Sequence, residues 1–270
     1  MNKIFLLVSM LILSLMLSGC RKSVDNQIKT PALKKLKTIT SGITDATGDV
    51  TNTETTFEYN TKGKLSRIIL FENYNIYGQQ LDTTNITYSR DSVKVICTSY
   101  NIYYPNSLVF CSRTTQNIVL NSNGFISTSV LKMDLLGNKE WVNTYQYDGS
   151  GNCIIQRTFN DGFDFVSNYK YSGGNIVSCV LNSVSNVTTE EMTYYLDKIN
   201  TISPDNTWFD YFGRESKNLV KTIRCLFNSK LVYTNSYEYE FDANNYVTKR
   251  IMTSDDGYNA SISWDKYTYQ

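Results

Sequence analysis

A nine-residue pattern returns along the chain, and a β-meander is the architecture that accommodates it. Phe57, Tyr59, Asn60, Gly63 and Leu65 set it out as aromatic-x-aromatic-Asn-x-x-Gly-x-apolar. Ile118, Leu120, Asn121, Gly124 and Ile126 repeat it with aliphatic residues, and Tyr145, Tyr147, Asp148, Gly151 and Cys153 repeat it with Asp. Tyr239, Phe241, Asp242, Asn245 and Val247 form a fourth copy with Asn in the glycine place; Tyr169, Tyr171, Gly174 and Ile176 form a shortened fifth. Alternate apolar residues lie on one face of a strand. The Asn or Asp side chain accepts from a backbone N–H two residues on and starts a type I turn. The Gly or Asn then takes the left-handed conformation that returns the chain to the sheet with a bulge. Each copy therefore reads as a β-hairpin.

Shorter connections are expected at Ser89–Ser92, Leu196–Lys198, Asn160–Gly162 and Asp255–Gly257, and Ala32 to Leu36 reads as a strand lead-in or brief turn. Long helical patterning is missing beyond the N-terminal segment. The spacing of turns predicts on the order of 14 to 16 strands of about 5–8 residues, and a sheet that long must curl, split or close. The expectation is an all-β fold: one antiparallel meander over residues 33–270, curled into an open or closed soluble barrel. Its strand faces carry Thr, Ser, Asn and Lys without a continuous apolar outer band, which argues against a membrane-spanning barrel.

The N-terminus has a different logic. Lys3 precedes an apolar run from Ile4 to Leu17 broken only by Ser9 and Ser14. That run is shorter than the roughly 20 residues a spanning helix needs and suits the central region of an export signal, residues 1–19. Leu17, Ser18, Gly19 and Cys20 follow, small residues that leave a narrow extended segment open to a modifying enzyme. They resemble the bacterial lipobox. The resemblance implies a diacylglyceryl group on the Cys20 sulfur, cleavage before Cys20 and acylation of the new amine; the other reading is an ordinary cleavable signal with an incidental cysteine. Residues 20–32 would then be the lipidated cysteine and a polar tether, joining the protein to the membrane through Cys20. The implied location is the outer membrane. Arg21 and Lys22, a basic pair where surface-exposed relatives carry an acidic run, favour the periplasmic side.

Composition excludes several functions. The chain has 26 basic and 25 acidic side chains, and losing Lys3 with the signal would leave them equal, so no long-range field attracts nucleic acid. With 0 histidines, Ser-His-Asp and Cys-His catalysis and His-ligated metals are ruled out, and no metal or other cofactor is expected. Beyond Cys20 lie Cys97, Cys111, Cys153, Cys179 and Cys225. A hairpin through Tyr104, Pro105 and Asn106 would set Cys97 opposite Cys111. Two readings stand, a cross-strand disulfide and two buried thiols acting as small apolar groups.

Trp208, Phe209, Tyr211 and Phe212 form the densest aromatic stretch, and Tyr100, Tyr103 and Tyr104 form a second near a hairpin tip. Either is a candidate platform for stacking a sugar ring or a partner side chain, or else a source of core rings. The acidic pairs Glu190 with Glu191, Asp255 with Asp256 and Asp161 with Asp164 supply carboxylates for hydrolysis. Their turn contexts and strand adjacency argue against that use.

Tyr145 to Asn152 also resembles the repeat of rearrangement-hotspot and teneurin shells, although the copies here are widely spaced. The lipobox, the scattered hairpins and the segment Trp208 to Leu219 together resemble uncharacterised Bacteroidetes lipoproteins. Their domain of unknown function is described as a porin-like, meandering β-barrel. Asp82 to Thr84 and Asp91 to Val93 match the short O-glycosylation pattern of that group. The resemblance implies a lipid-anchored envelope protein, read here as a non-enzymatic binding module for a glycan or an envelope partner. The alternatives are a purely structural component and a carboxylate-based hydrolase.

Overall fold

A computed structural model describes residues 34–44, 50–74, 78–103, 107–134, 139–160, 162–183, 185–202, 216–257 and 260–270. The chain alternates between two rims of one sheet. It rises through β1 (Leu36–Thr44), returns in β2 (Val50–Tyr59), and repeats this in β3 (Leu65–Tyr74) and β4 (Gly78–Tyr88). The long hairpin β5 (Ser92–Tyr103) and β6 (Ser107–Leu120) follows, then β7 (Ile126–Met133) and β8 (Lys139–Tyr147). Next come β9 (Cys153–Asn160), β10 (Phe163–Ser172), β11 (Asn175–Asn182) and β12 (Val187–Ile199). The circuit ends with β13 (Asn218–Phe227), β14 (Lys230–Phe241), β15 (Val247–Asp255) and β16 (Ala260–Tyr269). Every strand pairs antiparallel with its sequence neighbour, and β1 pairs with β16, so the meander closes into a barrel and leaves no edge.

The recurrent pattern builds one rim. In each full copy the Asn or Asp Oδ1 accepts two backbone N–H bonds: Asn60 from Lys62 and Lys64, Asn121 from Asn123 and Phe125. Asp148 accepts from Ser150 and Asn152, and Asp242 from Asn244 and Tyr246. The closing residue is left-handed every time, with φ of 74° at Gly63, 81° at Gly124, 84° at Gly151 and 62° at Asn245. A bulge sits directly before each turn, at Tyr59, Leu120, Tyr147 and Phe241. Asp148 also accepts from Asn152 Nδ2 at 2.7 Å. Asp148→Ala removes all three bonds and is expected to destabilise the barrel by about 1–3 kcal/mol, read as a lower melting temperature.

The same rim, here the near rim, holds both chain ends: the Lys35 N–H donates to the Gln270 carbonyl, and the Gln270 N–H to that of Lys35. At the closing seam Gly42 pairs with Trp264. A Cβ on Gly42 would lie 2.5 Å from Trp264 Cζ2, so the ring covers the glycine and seals the β1–β16 junction.

One expectation is corrected, and one of the two cysteine readings is set aside. Leu196, Asp197 and Lys198 lie inside β12, not in a turn, because Asn218 Nδ2 donates to the carbonyls of Leu196 and Lys198 and holds that irregular end of the strand. The β5–β6 hairpin forms, but no disulfide joins Cys97 to Cys111. Its register pairs Cys97 with Thr114, and Cys111 falls at a bulge between Phe110 and Ser112. Three residues along a strand is about 10 Å, beyond the reach of a disulfide.

Candidate functional site

Residues paired in register share a face, so the ladder shows which side chains enter the barrel. Just inside the near rim they fill it. Leu36, Ile126 and Val247 are fully buried, and Phe57, Ile118 and Leu219 nearly so, in one apolar cluster fed by β1 to β8 and β13 to β16. Ile176, Cys179 and Met192, backed by Tyr169, Tyr171 and Tyr194, fill the β10–β13 sector. Among the described residues these side chains pack the near-rim interior with apolar groups.

Above this plug the interior turns polar. Ser129, Asn143, Gln156 and Ser167 are buried side chains of the inner wall, linked in part through Asn143 Nδ2 to Ser129 Oγ and Thr158 Oγ1 to Asn143 Oδ1. On the opposite wall an inward row runs from Tyr239 to Arg250, Asp265, Ser41 and Thr53 across β14, β15, β16, β1 and β2. Arg250 Nε donates to Asp265 Oδ2 at 2.8 Å, and Nη2 approaches the same oxygen at 2.6 Å. Ser41 donates to Asp265 Oδ1 at 2.6 Å, and the Tyr267 hydroxyl to Oδ2 at 3.3 Å. The guanidinium carbon lies 5.8 Å from the Tyr237 ring centre. The Arg250 side chain, although it points into the barrel, keeps 37% of its surface accessible and that of Asp265 keeps 18%. The pair therefore lines an interior space, with Tyr237, Tyr239 and Tyr267 around it.

A second inward row joins Tyr169, Cys179, Glu190, Cys225 and Tyr233 across β10 to β14. Burial holds the Glu190 carboxyl above the ordinary glutamate value, and pushes the thiols of Cys179 and Cys153 up to about 12. These thiols stay protonated at neutral pH and are poor nucleophiles. No group of three or more acidic or thiol side chains among the described residues is placed to hold a metal. Because folding raises the Glu190 pKa, the folded state binds its proton more readily than the unfolded one. Stability falls as pH rises from the unfolded-state value through the folded one. Glu190→Gln is therefore expected to melt above the native protein at neutral pH, with the gap closing below about pH 4, where both side chains are neutral.

Of the residues singled out by sequence, Cys20, Trp208, Phe209, Tyr211, Phe212 and Tyr104 lie outside the described residues. Tyr103 pairs with Ser107 at the top of β5. Tyr100 lies on the outer wall: it pairs with Leu81 on one side and Phe110 on the other, and its ring meets Phe110 edge-on at 6.2 Å. Among the described residues the acidic pairs do not converge, and Asp161 lies outside those residues. Glu190 points inward while Glu191 meets Arg224 outside at 3.0 Å, Asp164 is held by Arg157, and Asp255 accepts from the Gly257 N–H in its turn. Arg250 and Asp265 escaped sequence reading because each stands beside a lysine, Lys249 and Lys266, and so looks like part of a charged outer face. The available signal was the alternation itself, which puts Arg250 in phase with Met252 and Asp265 in phase with Tyr267.

The fold is similar to two solved structures. A porin-like protein from Bacteroides uniformis is 13% identical with a TM-score of 0.64, over 87% of this chain and 98% of that one. A porin-like protein from Bacteroides vulgatus is 14% identical with a TM-score of 0.50, over 87% of this chain and 99% of that one. At these identities the likeness is one of fold. No family model matches the sequence, and no curated protein is similar to it.

Proposed function

We propose that this chain is a lipid-anchored envelope barrel that holds a neutral sugar-like ligand in its lumen rather than passing solutes through it. The observation that carries the reading is the contrast between a near-rim interior that is packed shut and an Arg250–Asp265 pair that stays accessible above it. An internally neutralised pair offers a donor edge and an acceptor edge to hydroxyl groups, and the surrounding tyrosines offer flat apolar faces. The outer wall supports anchoring over spanning. Glu58 with Arg67, Arg157 with Asp164 and Lys249 with Glu240 interrupt it with charge, which a lipid-facing band disfavours. The porin-like likeness is then a matter of architecture.

Titration calorimetry of the mature protein against a panel of neutral mono- and oligosaccharides tests the reading, alongside planar-bilayer recording. Saturable binding without conductance steps is expected; stable channels, or no binding across the panel, would defeat it. A second reading, an envelope protein partner, is favoured by the outer stripe of Leu81, Tyr100 and Phe110, of which Phe110 is 56% exposed. Crosslinking in intact cells that recovers one protein through this stripe would select it.

A further inference from the structure

Among the described residues the two rims differ in charge. Around the near rim stand Lys34 and Lys35 where the chain arrives, Lys62 and Lys64 on the β2–β3 turn, Arg90 on the β4–β5 turn and Lys217 before β13. Against them are Asp91, Asp148, Asp197 and Asp242, of which Asp197 is taken up by Lys198 and Asp242 by Lys34. At the far rim, Asp134, Asp255 and Asp256 outnumber Lys139 and Lys230 among the described residues. The basic groups are also propped at the edge. Lys35 Nζ donates to the Gly63 carbonyl at 2.5 Å above the Tyr59 ring, and Lys64 Nζ sits 4.9 Å from the centre of the Tyr88 ring.

We infer that the near rim is a lipid-docking face, which seats the barrel on an anionic bilayer with its far mouth turned away. The inference rests on the reading that Cys20 is acylated. The tether alone does not set this orientation, since the fifteen residues from Cys20 to Lys35 span up to about 50 Å when extended, more than a strand length. It does join the barrel at the basic rim, through Lys34 and Lys35, so anchor and charge act on the same end. Anionic headgroups attract basic groups within a Debye length of the surface, and salt weakens that attraction.

Lysine footprinting tests it. The intact acylated protein is placed on vesicles of phosphatidylcholine alone or of phosphatidylcholine with phosphatidylglycerol, and treated with a soluble amine-reactive reagent before mass spectrometry. On the anionic vesicles Lys35, Lys62, Lys64 and Lys217 are expected to react about tenfold more slowly, with Lys139 and Lys230 unchanged. The protection is expected to vanish in high salt and in a Lys62→Glu/Lys64→Glu variant. Equal reactivity at both rims of an acylated, vesicle-bound protein, or protection of the far rim, overturns the docking face alone. An intact mass without acyl chains overturns the anchor and the inference together.

Discussion

Cys20→Ser is expected to abolish both acylation and cleavage, so that the chain loses the mass of its acyl groups, gains that of residues 1–19 and stays with the membrane only through the uncut apolar run Ile4–Leu17. The physical basis is the arithmetic of acyl burial. Each methylene buried in the bilayer contributes about 0.8 kcal/mol, so one chain holds a protein only reversibly while two or more hold it stably. The lipobox resemblance implies several chains on Cys20 and a peptidase that acts only after the first is attached. Among the described residues no helix is long and apolar enough to cross a bilayer, and the outer wall carries charged pairs on its strands. Cys97→Ser is the control. That thiol faces the interior opposite Thr84 and Thr114, so the variant is expected to fractionate with membranes as the native chain does. Fractionation with intact-mass measurement reads both. A serine variant that stays in the pellet with its signal removed would mean that another feature carries the attachment.

The turns were the most legible part of the molecule because their chemistry is local. Asn60, Asn121, Asp148 and Asp242 make the backbone bonds that their side chains suggest, within four residues of themselves. Closure of the sheet was legible only as one of several outcomes, because the pairing of β1 with β16 joins residues more than two hundred positions apart. Of the two readings for Cys97 and Cys111, the disulfide needed a hairpin centred on Tyr104; Tyr103 instead pairs with Ser107, and the bulge at Cys111 adds one more residue, so the two cysteines lie three residues out of register. Leu196 to Lys198 misled for the opposite reason. Asn218, a neighbour supplied by the next strand, satisfies backbone groups that a turn would otherwise have satisfied locally. The candidate site needed both kinds of information, since Arg250 and Asp265 meet only when the last hairpin has the right register and the tyrosines of β14 lie on the same side.

The Arg250–Asp265 pair separates a stabilising role from a binding one. Asp265→Asn leaves the Arg250 guanidinium inside the barrel without its counter-charge. Breaking a fully buried pair costs about 3–5 kcal/mol, and the solvent reaching these side chains reduces that to about 1–3 kcal/mol. The variant is expected to melt several degrees lower, because Asn lacks the charge and keeps one acceptor oxygen where Ser41 and Tyr267 donate to two. Arg250→Met combined with Asp265→Leu removes both charges and substitutes apolar volume, a change that is often close to neutral for stability. Melting within about 1 kcal/mol of the native protein is expected there, because Tyr237, Tyr239 and Tyr267 supply an apolar surround for the new side chains. Sugar binding divides the two roles, since Asp265→Asn loses the charged acceptor and the double variant loses both edges, and each is expected to bind at least about tenfold more weakly, the loss of one hydrogen bond to a charged group. A double variant that melts normally and still binds at native affinity would place the ligand elsewhere and leave Arg250 and Asp265 as part of the barrel's frame.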